Sequence, residues 1–148
     1  MHDLPTDSRL GMYVHECSKR IRYAETDQMG YLYYGNYAIL YEIGRTEAMR
    51  SLGVHYSLLE KEAGIMMPVV SVESRYLAPL YYDEEARIIT KLLEIPDKLI
   101  CFHHEIVNEQ NKIVHTAQVK LFFINMETQK RVSIPSKLQE ALIPFFNS

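Results

Sequence analysis

The chain has 148 residues, of which 47% are hydrophobic and 24% charged, and these proportions are typical of one globular domain spanning residues 1–148. The formal net charge is −3, so no overall positive field favours nucleic acid or an anionic membrane surface. No apolar run of about 20 residues predicts a membrane span, and no basic-then-apolar leader predicts a signal peptide. We therefore expect a cytoplasmic protein.

Cysteine and histidine spacing indicates no metal site. Cys17 and Cys101 are too few for a disulfide framework and lack metal-ligand spacing, so we expect both to be reduced. His103 and His104 are neighbours on a predicted strand and point to opposite faces, and neither forms a His-x-x-x-His pattern. A Gly-x-Ser-x-Gly nucleophile elbow is also missing from the sequence, which argues against an α/β-hydrolase.

The first third of the chain predicts an arm, a strand and a loop. Residues 1–11 are mostly polar and are interrupted by Pro5, which predicts a flexible N-terminal arm. From Met12 to Tyr23 apolar and polar side chains alternate, and a period of two indicates a half-buried strand. The loop Ala24 to Gly35 follows, and its glycines permit backbone conformations that other residues resist.

A long helix is predicted next, with Asn36 as its N-cap and Gly53 as its terminator. Apolar or small residues recur at helical spacing, at Tyr37, Leu40, Tyr41, Gly44, Ala48 and Leu52. Further apolar residues widen this stripe, so we expect the helix to be largely buried. Ser57 and Glu60 fit a capping box for a short second helix that ends at Gly64.

The second half of the chain predicts strands and a terminal helix. Segments rich in β-branched and apolar residues, separated by proline and asparagine turns, are Met66 to Leu77, Glu85 to Ile95, Leu99 to Asn108 and Ile113 to Ile124. A shorter strand is expected over Arg131 to Ile134, and a helix over Lys137 to Phe146 with Ser136 as its cap. This order predicts an α+β fold with an antiparallel sheet on one buried helix.

Four motifs, in this order, resemble the hotdog-fold acyl-CoA thioesterases, in the 4-hydroxybenzoyl-CoA thioesterase-like branch that includes the YbgC-type enzymes. They are Thr26-Asp27-Gln28-Met29-Gly30, Tyr33-Tyr34-Gly35-Asn36-Tyr37, the helical Tyr41-Glu42-Ile43-Gly44-Arg45-Thr46-Glu47, and Tyr76-Leu77-Ala78-Pro79 with Tyr82-Asp83. The resemblance implies a curved antiparallel sheet wrapped around one long central helix. It also implies a homodimer, often paired into a homotetramer, with active sites at the subunit interface.

The resemblance also implies roles for particular residues. Asp27 is expected to act as general base or nucleophile, and the residues alone leave these alternatives open. The backbone amide of Tyr34, aided by those of Gly35 and Asn36, is expected to form an oxyanion hole, because the first turn of a helix has unpaired N–H groups. An aspartate near glycine can also simply cap a turn through its side chain. The helix face carrying Tyr37 and Tyr41 is expected to contact the acyl chain.

The sequence therefore predicts an acyl-CoA thioesterase that releases free acid and CoA without a metal or redox cofactor. CoA enters only as part of the substrate. One alternative is a thioesterase acting on acyl carrier protein, which requires a basic docking surface for an acidic partner. Another is a non-catalytic acyl-binding module, which would bind acyl-CoA without releasing thiol. The loop motif matches the hydrolytic branch of the fold better than its dehydratases.

Overall fold

The computed structural model describes residues 11–146 of the chain. The predicted N-terminal arm, residues 1–11, therefore lies outside the described residues except for Gly11. The strands within this range are β1 (Tyr13–Arg20), β2 (Ile65–Met66), β3 (Val69–Tyr76), β4 (Glu85–Leu92), β5 (Leu99–Val107), β6 (Ile113–Phe122) and β7 (Ile124–Asn125). The helices are α1 (Tyr37–Ser51), the short α2 (Tyr56–Leu58), which continues as one π-helical turn over Leu59–Ala63, and α3 (Ser136–Phe146).

Five strands form one antiparallel sheet in the order β1-β4-β5-β6-β3. Side chains alternate between buried and partly exposed along β4 and β5, as expected of a sheet with one face on the core. The buried face carries the large apolar side chains Ile88, Phe102, Ile106 and Leu121. The α+β architecture predicted from the sequence is therefore confirmed.

Helix α1 lies across this buried face and contacts β1, β4 and β5. Its buried residues are Tyr37, Leu40, Tyr41, Gly44, Ala48 and Met49, which share one side of the helix. The prediction that α1 is largely buried is wrong for its opposite side, where Ile39 is 41% exposed. The reason is that the sheet covers only one side of the helix. Gly53, with φ of 81°, follows the helix end as predicted.

The closest approach between helix and sheet occurs at Gly44. A Cβ atom at this position would lie 2.6 Å from Oγ1 of Thr90 and 2.8 Å from Cγ2 of Ile88. Only a hydrogen atom fits in this space, so Gly44 sets the distance between α1 and the sheet. The middle of α1 is held close against the sheet as a consequence.

Predicted helix caps differ from those observed. Asn36 makes no side-chain cap hydrogen bond, because its side-chain amide donates instead to the carbonyl of Glu25 at 2.9 Å. The residue before α2 is His55, so Ser57 lies inside the helix and does not cap it. Ser136 likewise lies inside α3, as its first residue. Both helices therefore begin at or before the serine that the capping pattern selected.

Two predicted strands also differ from the structure. The segment Met66 to Leu77 is divided into β2 and β3 at Met67 and Pro68, because proline has no N–H for a ladder. Arg131 to Ile134 forms only an isolated bridge between Arg131 and Ile124. The other four predicted strands are each observed within a few residues of the expected bounds, as β1, β4, β5 and β6.

Candidate active site

Asp27 begins a tight hairpin turn that ends at Tyr31. The Asp27 N–H donates to the Tyr31 carbonyl at 2.8 Å, and the Gly30 N–H donates to the Asp27 carbonyl at 3.0 Å. Gly30 has φ of 79°, a left-handed conformation that side chains disfavour, which explains a glycine at this point of the turn. The pairing of Thr26 with Leu32 extends the hairpin by one step.

The carboxylate of Asp27 is exposed and uses one oxygen to hold the turn. Its Oδ1 accepts the backbone N–H of Met29 at 2.9 Å and that of Tyr31 at 3.2 Å. This is the turn-capping arrangement that the sequence allowed as an alternative. Among residues 11–146, no donor contacts Oδ2. The structure therefore gives Asp27 a turn-capping oxygen and a free one.

Glu25 connects this hairpin to the head of α1. Its backbone carbonyl accepts the Tyr33 N–H at 2.9 Å and the side-chain amide of Asn36 at 2.9 Å. Its carboxylate accepts the Arg22 N–H at 2.7 Å and an ammonium hydrogen of Lys19 at 3.0 Å. Partial burial raises the pKa of the Glu25 carboxyl, but these two donors outweigh burial and lower the pKa overall. Glu25 is thus a structural anchor in the loop.

A second loop holds the hairpin from its other side. Leu32 donates its N–H to the Leu80 carbonyl at 2.7 Å, and Tyr82 donates its N–H to the Gly30 carbonyl at 3.1 Å. Tyr31 also pairs with Tyr81 in an antiparallel bridge. The Asp27 turn is therefore fixed by backbone contacts along both of its sides.

The second loop is itself fixed by a buried carboxylate, Glu84, which is 8% exposed. Glu84 accepts the Tyr81 N–H through Oε1 at 3.0 Å and the Glu109 N–H through Oε2 at 3.2 Å. Both carboxylate oxygens thus have backbone donors, which compensates the cost of burying the charge. Sequence reasoning missed Glu84. The only available signal was an acidic residue just before an apolar strand.

The head of α1 carries two unpaired backbone donors. A single 3₁₀ turn, Tyr34–Asn36, precedes the helix, and within it the Asn36 N–H donates to Tyr33 and the Tyr37 N–H to Tyr34. Among the described residues, the N–H groups of Tyr34 and Gly35 reach no protein acceptor. Because the positive end of the helix dipole adds to these two donors, an oxyanion is favoured here.

Tyr37 and Tyr41 lie in the core beneath the helix head, each with 4% exposure. The Tyr37 ring stacks on the imidazole of His115 at a centroid distance of 4.1 Å, and the Tyr41 hydroxyl is hydrogen-bonded to Nε2 of His115. Burial is the main cause that raises the pKa of each phenol to about 12. Contact of these two side chains with the acyl chain stays a prediction.

His115 and Tyr76 are two further residues near the site that sequence reasoning missed. The His115 imidazole is fully buried, its Nδ1 has no partner among the described residues, and burial lowers its pKa to about 4. Tyr76 packs against it with ring centroids 4.6 Å apart. Strand alternation can assign both residues to one face of the sheet, but it does not show that this face meets the helix head.

Within residues 11–146, no three His, Cys, Asp or Glu side chains are grouped so that they could hold a metal ion. Over the same range, every helix is too short or too polar to cross a bilayer.

The sequence of this chain is similar to a known family model and to several known proteins. The model of the thioesterase-like superfamily matches residues 21–142. YneP of Bacillus subtilis (strain 168), provisionally named an acyl-CoA thioesterase, is 33% identical over 121 residues, covering 82% of this chain and 87% of YneP. The acyl-CoA thioester hydrolase YbgC of Escherichia coli O157:H7 is 27% identical over 122 residues, covering 80% of this chain and 88% of YbgC.

A solved structure agrees with these sequence relationships. The DHNA-CoA thioesterase from Staphylococcus aureus superposes with a TM-score of 0.81 at 30% identity, covering 86% of this chain and 87% of the other. The predicted hotdog fold is thereby confirmed. The chain belongs to the thioesterase-like superfamily, among the hotdog-fold acyl-CoA thioesterases related to YbgC.

Proposed function

We propose that the protein hydrolyses acyl-CoA thioesters to a free acid and CoA. The observation that carries this proposal is that the unpaired N–H groups of Tyr34 and Gly35 directly follow the hairpin that presents the Asp27 carboxylate. Oxyanion donors and a carboxylate are the two components that thioester hydrolysis requires. The names of the relatives YneP and YbgC agree with this activity.

In the proposed reaction the thioester carbonyl oxygen accepts hydrogen bonds from the Tyr34 and Gly35 amides. The free oxygen of Asp27 removes a proton from a water molecule, whose oxygen forms a bond to the carbonyl carbon. The tetrahedral intermediate then collapses, the carbon–sulfur bond breaks, and the proton held by Asp27 passes to the departing thiolate. The reaction needs only water as co-reactant, so the proposal includes no metal or redox cofactor.

Direct attack by Asp27 on the carbonyl carbon would use the same oxygen and would form a mixed anhydride. A single turnover in H₂¹⁸O distinguishes general-base catalysis from direct attack in which water then adds at the aspartyl carbon. General-base catalysis places ¹⁸O only in the released acid. Attack by Asp27, followed by water addition at the aspartyl carbon, places ¹⁸O in the carboxylate of Asp27.

The role of Asp27 is tested by two substitutions that separate charge from turn geometry. In Asp27→Asn the side-chain oxygen still accepts the Met29 and Tyr31 N–H groups, so the turn is preserved while the base is lost. Asp27→Ala loses both the base and the side-chain oxygen that holds the turn. We expect Asp27→Asn to lower kcat by about 10² to 10⁴-fold in a free-thiol assay over a panel of aliphatic and aromatic acyl-CoAs.

Asp83→Asn is the matched control, because Asp83 is an exposed carboxylate whose nearest cation is Arg20 at 3.9 Å. Its activity should equal that of the wild type.

Full activity of Asp27→Asn would disprove the proposed mechanism. Tight acyl-CoA binding by the wild type without thiol release would instead identify a non-catalytic acyl-binding module, and preference for acyl carrier protein in a competition assay would change the assigned substrate.

We also propose that the protein works in the cytoplasm as a homodimer, and further as a homotetramer, with its site completed by a second copy. The support is β3, which forms one edge of the sheet and exposes Val70 and Val72. Unpaired edge strands with apolar side chains favour pairing with another chain. Pairing two β3 strands across a two-fold axis would remove this exposed edge.

A further inference from the structure

We propose that Tyr76 determines the maximum size of the acyl group that the site accepts. This inference rests on the proposed thioesterase function. Next to the helix head, the side chain of Tyr76 packs on other aromatic rings on one side and is exposed on the other.

Tyr76 is held by the buried aromatic residues behind it. It is the last residue of β3 and lies opposite His115 of β6 in the antiparallel register. Its ring meets Tyr37 edge-on at 5.0 Å and His115 at 4.6 Å, with interplanar angles of 85° and 71°. These edge-to-face contacts are a favourable geometry for aromatic pairs. The ring is nevertheless 53% exposed, so its remaining surface is free.

Tyr76 also reaches the proposed oxyanion donors. Its hydroxyl donates to the Tyr34 carbonyl at 3.4 Å, and this carbonyl belongs to the same peptide group as the Gly35 N–H. A thioester whose carbonyl oxygen lies on the Tyr34 and Gly35 amides therefore has its first acyl carbons close to the Tyr76 ring.

The chemistry of the substrate decides which part of it turns towards Tyr76. The phosphates of CoA are charged and remain in water, because burying unpaired charge is costly. The acyl group instead gains from apolar contact. The inner side of β3 offers such contact, since Val72 lies on the same face as Tyr76, four residues earlier, and is 49% exposed.

The space behind Tyr76 is already filled. Tyr37 is 4% exposed and His115 is fully buried, and the two rings stack directly on each other. An acyl group that reaches the Tyr76 ring therefore meets these two packed rings behind it. Removing the ring would open a space that extends towards the imidazole of His115.

Substitutions that change ring size in opposite directions test this inference. We expect Tyr76→Ala to raise kcat/KM for long-chain and aromatic acyl-CoAs relative to acetyl-CoA by about tenfold or more, the discrimination typical of shape-limited apolar pockets. Tyr76→Trp should shift the same ratio towards acetyl-CoA. Tyr76→Phe keeps the ring and should keep the wild-type ratio. Tyr23→Ala removes an exposed tyrosine that packs on Tyr82 instead, and it should also leave the ratio unchanged.

Opposite shifts in the Ala and Trp variants support the inference, and the Trp variant suffices if the Ala variant does not fold. An unchanged ratio in a folded Trp variant overturns the inference while leaving the thioesterase function intact, and so does a Phe variant that shifts as far as Ala. A wild type that hydrolyses no thioester refutes the proposed function and the inference with it.

Discussion

Glu84 accepts the backbone N–H of Tyr81 at 3.0 Å and thereby ties a buried charge to the loop that holds the Asp27 turn. Tyr81 pairs with Tyr31, the residue whose N–H and carbonyl both bond to Asp27. Two intervening residues, Tyr81 and Tyr31, therefore connect a core carboxylate to the proposed base. This connection makes Glu84 a positioning residue for Asp27, since it does not itself reach the exposed side of the turn.

We expect Glu84→Ala to lower kcat about tenfold to a hundredfold with a smaller effect on KM, because small displacements of a catalytic group are costly. Glu84→Gln retains one acceptor oxygen and should fall between Ala and wild type. In an Asp27→Asn background, Glu84→Ala should cause no further loss of kcat, since both changes act on the same group.

Glu109→Ala is the matched control for Glu84. Its carboxylate accepts the Glu85 N–H at 3.0 Å, so the same region loses one hydrogen bond while the bond to Tyr81 remains. We expect its kcat to stay close to the wild-type value. Additive losses in the double variant with Asp27→Asn would show that Glu84 acts on something other than Asp27.

Much of the fold could be predicted from the sequence because period and turn chemistry are local properties. The stripe from Tyr37 to Ala48 has helical spacing, and the structure forms α1 from Tyr37 to Ser51. Segments rich in β-branched and apolar residues, separated by turn residues, likewise predicted β4 to β6, where one sheet face meets the core. The ordered loop and helix motifs were sufficient to predict the hotdog family, which the comparisons confirm.

The sequence could not predict features that depend on contacts distant along the chain. Asn36 has the right type and place for a cap, but the Glu25 carbonyl, eleven residues earlier, takes its side chain. Glu109, one partner of Glu84, and His115, one partner of Tyr76, lie far along the chain, so no local pattern marks these contacts. The stacking of Tyr37 on His115, 78 residues later, is likewise a contact that no local pattern marks, and the predicted contact of Tyr37 with the acyl chain stays a prediction.

Gly44→Ala should destabilise the protein although alanine is the better helix former. Helix propensity alone favours alanine by about 1 kcal/mol. The added Cβ, however, would lie 2.6 Å from Oγ1 of Thr90 and 3.1 Å from the His104 imidazole, in a closely packed layer. Overpacking of this kind costs about 1 to 3 kcal/mol, and we expect a net loss in the free energy of unfolding measured with urea.

A double-mutant cycle with Thr90→Ala identifies the cause. Thr90→Ala removes the atom closest to the new methyl group, although it also removes the hydrogen bond to His104 at 3.0 Å. The double variant should therefore be more stable than the sum of the two single losses predicts. Strict additivity, or a Gly44→Ala variant more stable than wild type, would contradict the close packing described for α1.

Two buried histidines predict a loss of stability in mild acid. Burial lowers the pKa of His115 to about 4, and burial is also the first cause that lowers the pKa of His104 to about 3. An unfolded histidine titrates near pH 6.5, so the unfolded chain binds more protons between these values and pH 6.5. The contribution of these neutral histidines to the free energy of unfolding is fully present above pH 6.5. It declines as the pH falls towards 4, by on the order of 3 kcal/mol for His115 alone.

Urea unfolding at several pH values, at one protein concentration, measures this effect. His115→Phe keeps an aromatic ring against Tyr37 but removes the titrating group, so its free energy of unfolding should change less between pH 7 and 5 than that of the wild type. Equal pH dependence in the two proteins would show that the His115 imidazole is not the group responsible.

The exposed edge of the sheet at β3 predicts that a charge at Val72 separates the subunits. Val72 points to the inner face, opposite the buried Val119, and a lysine there would place an unpaired charge in the proposed interface. We expect Val72→Lys to halve the molar mass measured by light scattering. Thioesterase activity should fall at least about tenfold, because each site would lose its second copy and the charge would also lie on the surface proposed to contact the acyl group. Glu73→Lys, one residue further on the outer face opposite Gln118, is the control and should keep the wild-type mass. A Val72→Lys variant with unchanged mass and activity would show that β3 is not the contact between subunits.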